Sequence, residues 1–237
     1  MTPTKKSNPL LELLINIVIP SVILMKFSGE QDLGVVWGLL VALAFPLTFG
    51  AYELLGRGKI NVFSVLGLVS ILLTGGIGLL QLDPQWLAVK EAAIPGLIGL
   101  AVLISTRTRY PLVKTLLYNP TLIDVARVQQ HLEVRGTVEA FEMRLQNATY
   151  MLGGTFFFSA AMNYFLASWI VTSPAGSEAF NAELGRLTLV SYPMIALPSM
   201  LMMMGALYYL ARATRELAGL KLSETLNTGD AGTGKSN

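Results

Sequence analysis

The sequence predicts an all-α fold, a polytopic transmembrane helix bundle of six spans with both termini in the cytoplasm. Three observations predict it. The 237 residues are 53% hydrophobic and only 14% charged, against roughly 25% charged in ordinary globular chains. Long runs without charge recur along the chain. The basic residues, finally, fall almost entirely on one side of those runs.

A bilayer core about 30 Å thick needs roughly 20 apolar residues in a helix, and the runs that meet this lie near 10–27, 33–55, 60–80, 87–105, 150–171 and 187–210. The first is interrupted by Glu12, Asn16 and Lys26, and is too polar to read as a removable signal peptide. With six spans the termini share a face. Of the 17 Lys and Arg residues only Lys26, Lys90 and Arg186 then lie on the far face, and the other fourteen lie on the near one. The positive-inside bias makes that near face cytoplasmic. Trp37, Trp86 and Trp169 fall towards the outer ends of their spans, and Tyr52, Tyr150, Tyr208 and Tyr209 towards the inner ends, as two interfacial belts require.

The longest connection, 106–147, reads as a helical pair on the cytoplasmic surface. Asn119-Pro120 is a helix start, Val125, Val128 and Leu132 share one face, Gly136 breaks the helix, and Val138, Phe141 and Leu145 repeat the pattern into the fifth span. The six-span domain thus covers 1–222, and the Gly-, Thr- and Ser-rich tail 223–237 reads as disordered.

Much chemistry is excluded. There is no cysteine and a single histidine, His131, so neither thiolate chemistry nor a histidine-based metal cluster is available. Gly229 to Ser236 spells G-x-x-x-x-G-K-S, but a P-loop works by delivering a glycine turn from a strand to a helix N-terminus, and only Asn237 follows. Met200, Met202, Met203 and Met204 read as adaptable apolar filler and not as copper ligands. No nucleophile elbow or paired-carboxylate pattern occurs.

The polar groups that remain carry what function there is. Lys90 and Glu91 sit near the outer start of the fourth span, Glu12 and Glu53 near inner boundaries, Asn163 deeper, and Asp83 and Glu183 in or beside outer loops. An ionised side chain at a helix centre costs about 2.5–3.5 kcal/mol on insertion scales, so these groups are expected as boundary anchors able to snorkel, as ion pairs, or as the lining of a polar cavity. Gly75, Gly76, Gly96, Gly153 and Gly154 are expected where helices approach closely. Pro20, Pro46, Pro95, Pro193 and Pro198 should each disturb its helix.

The run Gly75-Gly76, Leu79, Asp83, Trp86, Lys90, Ile94, Gly99, Ser105 and Pro111-Leu112 resembles the segment that characterises the bacterial intracellular septation protein A family of small inner-membrane proteins. Asn163 with its aromatic neighbours and Gly185 before the last span extend the resemblance, which holds in register over 60–210 and by hydropathy alone over the first two spans. The chain departs from the pattern in a longer inner loop, an extended tail, and Ala88 and Val89 where the family carries an aromatic residue near its lysine. The resemblance implies a related branch: an inner-membrane protein connected with envelope upkeep or division, with no established catalytic chemistry.

The expected function is therefore a non-enzymatic scaffold or interaction protein of the bacterial inner membrane, using no cofactor, metal or nucleic acid. Its expected partners are the lipid bilayer, envelope or division proteins, and a second copy of the chain. The rival is a small secondary transporter or channel working as a dimer. Three spans followed by three are automatically inverted, as in inverted-repeat carriers, and Lys90, Glu91, Asn163 and Glu183 would line its outer end.

Overall fold

Apolar runs of this length have one economical way to satisfy their backbone in lipid, which is to bond it within each segment as helix. The computed structural model describes residues 9–56, 62–107 and 124–220, without the side chains of 9, 11, 53–56 and 62–64. Among these residues every regular element is helical: α1 (Pro9–Leu13), α2 (Ile19–Lys26), α3 (Gly34–Gly56), α4 (Val62–Leu79), α5 (Gln85–Ser105), α6 (Val125–Arg135), α7 (Val138–Ile170), α8 (Glu178–Ser191) and α9 (Leu197–Ala218). The Asn119-Pro120 start, Pro111-Leu112, the P-loop-like stretch and the tail lie outside the described residues.

Among the described residues three helical runs are long and apolar enough to cross a membrane: Gly34–Tyr52, Gln85–Ser105 and Glu178–Ala218. Leu14–Lys26 and Val65–Leu79 are apolar but shorter among the described residues. Helix α7, at 33 residues, runs without a break from the loop region into the expected fifth span. The separate short helix expected over 138–145 is its first two turns, since nothing after Thr137 breaks an α-helix. The last expected span likewise begins earlier, at Glu178, where the Ser177 side chain accepts from the Phe180 amide at 3.1 Å and caps α8.

Two of the five prolines expected within spans are accommodated by widened turns. Pro20 lacks an N–H and crowds the Asn16 carbonyl one turn back. Just before it, Leu14–Val18 forms a π-turn in which the Ile19 amide reaches back to the Leu14 carbonyl. A second π-turn, Tyr192–Ala196, contains Pro193 and joins α8 to α9. Pro46 and Pro95 sit inside helices.

The chain divides into two compact units, Met1–Pro95 with Ser159–Pro198 and Gly96–Phe158 with Ser199–Asn237. In the first, α2 packs on α8 and α3, and α3 on α4. Its buried cluster includes Leu24, Leu39, Leu87, Leu166, Phe180 and Leu184. In the second, Val128 and Leu132 of α6 and Phe141 and Leu145 of α7 share a buried cluster with Val102, Leu152 and Leu210. The apolar faces of the loop helices are therefore spent on a protein core. Asp124 caps α6 by accepting from the Arg127 amide at 3.0 Å. Gly136 ends it in the left-handed region at φ 66°, which glycine adopts at no steric cost.

The surface is inside-out for a water-soluble chain. Trp37, Trp86 and Trp169 are 65%, 60% and 68% exposed, and large aliphatic residues are exposed along α3, α4, α5 and α9. Apolar exposure on this scale is what lipid as solvent requires.

Candidate functional site

Among the described residues the most buried charged group belongs to the first unit. Helices α4 and α5 are joined by a tight turn at 80–84, in which Asp83 accepts from the Gln85 amide at 2.8 Å and starts α5. Five residues into α5, Lys90 is 8% exposed. Its ammonium has three protons to give, and each has an acceptor: Ser70 Oγ at 3.1 Å, Thr74 Oγ1 at 2.8 Å and Glu91 Oε1 at 2.7 Å. Ser70 and Thr74 are four residues apart and so share a face of α4. The Thr74 hydroxyl, while accepting from Lys90, donates to the Ser70 carbonyl at 3.0 Å. Lys90 thus has its ammonium bonded within the protein. Its side chain is held among groups of the hairpin, and its charge is balanced by Glu91, which keeps 30% of its own side chain exposed.

The other expected polar residues whose side chains are described do not join it. Glu183 clasps the α7–α8 loop, its Oε2 accepting from the amides of Thr172 and Ser173 at 2.9 Å each and its Oε1 from Ser173 Oγ at 2.8 Å. Asn163 donates back within its own helix to the Ser159 carbonyl at 2.8 Å. Asp83 is an exposed turn residue, Glu12 is half-buried on α1, and the Glu53 side chain lies outside the described residues. Lys90, Glu91, Asn163 and Glu183 accordingly hold three separate sets of bonds.

The glycines sort in the same way. A Cβ on Gly75 would lie 3.0 Å from a Leu43 methyl, and one on Gly153 2.8 Å from a Leu103 methyl, but Gly76 and Gly154 face open space. Adjacent helical residues point about 100° apart, so the two members of each doublet face different directions. Gly96 is half-buried on α5. Among the described glycines the tightest approach to another segment's backbone is at Gly185, where a Cβ would lie 2.7 Å from the Ser21 carbonyl oxygen. One turn earlier Asn181, fully buried, donates to Ser28 Oγ at 3.1 Å and to the Val35 carbonyl at 2.8 Å. The Asn181 Oδ1 and the Ser21 hydroxyl have no hydrogen-bond partner among the described residues.

Sequence reasoning named Lys90 and Glu91 as polar candidates, but not Ser70, Thr74 or Asn181. The i,i+4 spacing of two hydroxyls inside an apolar run was the available signal for the first two. Met200, Met202, Met203 and Met204 are all exposed along α9. Among the described residues no three His, Asp or Glu side chains group as metal ligands would.

Comparison with known proteins finds no matching family model, no matching curated protein and no matching solved structure. The arrangement defines a helical protein with membrane-spanning character and a buried cation locked between two helices.

Proposed function

We propose that the chain is a multi-pass protein of the bacterial inner membrane, with six spans and cytoplasmic termini, acting as a non-enzymatic scaffold of the septation protein A type in envelope maintenance or division. One observation carries the reading: all three protons of the Lys90 ammonium are taken up by Ser70, Thr74 and Glu91. A transport site must exchange its bonds with a substrate and then release it, whereas a saturated set holds helices together. The basic asymmetry of the sequence supports the orientation, and the exposed apolar faces supply surface for lipid and for partner spans.

The test is a thermal-shift screen of the detergent-purified chain against ions and soluble metabolites, with Lys90→Ala alongside. Binding to the folded state raises apparent stability by mass action. The scaffold reading expects no soluble compound to give a shift that the variant abolishes. A single compound that does so would replace it with a carrier whose site includes Lys90.

A further inference from the structure

The second unit holds a small polar cleft that the function above does not use. Arg144 on α7 and Tyr209, Arg212, Ala213 and Glu216 on α9 line a space of about 150 Å³, half the volume at which ordinary small-molecule pockets begin, roughly 300 Å³. Arg144 lies over the Tyr209 ring, its Cζ 5.4 Å from the centroid, and donates to the Tyr209 hydroxyl at 3.2 Å. Asn147 donates to the same oxygen at 3.3 Å. With two donors on it, that oxygen is left to turn its own proton outward. Arg212 gives Nε to Glu216 at 2.6 Å, and its side chain is 65% exposed. Its terminal nitrogens have no partner among the described residues.

We propose that this cleft binds the phosphodiester of an anionic phospholipid headgroup, held by the guanidinium groups of Arg144 and Arg212 and the hydroxyl of Tyr209. Two cations against one carboxylate leave a single positive charge, which matches the single negative charge of a phosphodiester. The planar guanidinium forks suit phosphate oxygens. The Tyr209 hydrogen bond holds Arg144 above its ordinary range, so its charge is permanent.

Lipid is the source because the cleft adjoins an apolar face. On α9 the residues leading to Arg212 include Leu201, Leu207 and Tyr208, at 64%, 43% and 69% exposed, and Tyr150 and Met151 are exposed beyond Asn147 on α7. Acyl chains can follow these residues from a phosphate seated among the arginines, as in other basic clefts at the inner membrane surface. The assignment to the cytoplasmic leaflet rests on the orientation proposed above, and the cleft itself does not.

The experiment titrates the full chain in neutral detergent with phosphatidylglycerol, phosphatidylcholine or inorganic phosphate, following thermal unfolding and native mass. Phosphatidylglycerol should give a saturable stabilisation whose midpoint is about tenfold weaker in Arg144→Gln and in Arg212→Gln, and unchanged in Arg127→Gln, an exposed cation on α6. Arg212→Gln carries the test if Arg144→Gln lowers the basal stability. Equal midpoints in wild type and both cleft variants would overturn the site, as would equal binding of phosphatidylcholine. An equal response to inorganic phosphate would overturn its assignment to lipid.

Discussion

Lys90 and Thr74 meet at 2.8 Å between α5 and α4, and the same Thr74 hydroxyl passes a hydrogen bond on to the Ser70 carbonyl at 3.0 Å. The contact joins two helices through a charge, and its strength depends on every member being present. A buried ion pair with satisfied hydrogen bonds is worth little over an apolar replacement, whereas one partner alone is costly.

Glu91→Gln should therefore destabilise the protein by about 1–3 kcal/mol, below the 3–5 kcal/mol of fully buried pairs because Glu91 is partly exposed. Lys90→Met combined with Glu91→Gln should cost less than Glu91→Gln alone. Denaturation of the three variants in detergent decides it, and a double variant weaker than the single would sink this account of the pair.

Thr74→Val keeps the shape and removes the acceptor. A loss of about 1–3 kcal/mol is expected from the unsatisfied ammonium proton. Thr48→Val serves as reference, since among the described residues Thr48 Oγ1 bonds to carbonyls of its own helix.

Gly185→Ala should lower the melting temperature, because the new methyl meets the Ser21 backbone at 2.7 Å and Leu24 at 3.2 Å, and overpacking costs about 1–3 kcal/mol. Gly76→Ala should leave stability equal or raised by up to about 1 kcal/mol, as a helical glycine in open space gains from alanine. Equal losses at both positions would contradict the placement of α2 against α8.

Glu183→Ala should release the α7–α8 loop. The amides of Thr172 and Ser173 lose a charged acceptor, so their hydrogen exchange should quicken by roughly tenfold or more, for bonds worth about 1.5–3 kcal/mol. The amide of Val171, bonded to the Ala167 carbonyl, should change far less.

The absence of native cysteine makes topology directly testable. Single cysteines at Gln85 and Gln130, both exposed, should react with an impermeant maleimide from opposite sides of the membrane. Labelling of both from one side would overturn the six-span orientation.

The helices were legible because period and apolarity repeat over many residues. Gly136 was visible as a break, and Val128, Leu132, Phe141 and Leu145 as one-sided faces, since local geometry alone decides such features. The polar contacts were less legible. Asn181 meets Ser28 across 153 positions, and no local pattern marks that pairing. Ser70 and Thr74 look like ordinary small residues of a membrane helix until Lys90 is placed against them. Glu183 looked like part of a polar lining and instead serves two loop amides, because an exposed backbone N–H within reach of a carboxylate satisfies both groups at once.

The burial of Lys90 also governs its reactivity. An acylating reagent must reach the nitrogen it attacks, and the Lys90 side chain, held against Ser70, Thr74 and Glu91, is only 7% exposed. Acylating reagents should pass it over while modifying Lys26, which is exposed at the end of α2. Labelling at Lys90 would then report the moments when α4 and α5 part, a chemical clock for the hairpin that needs no inserted label.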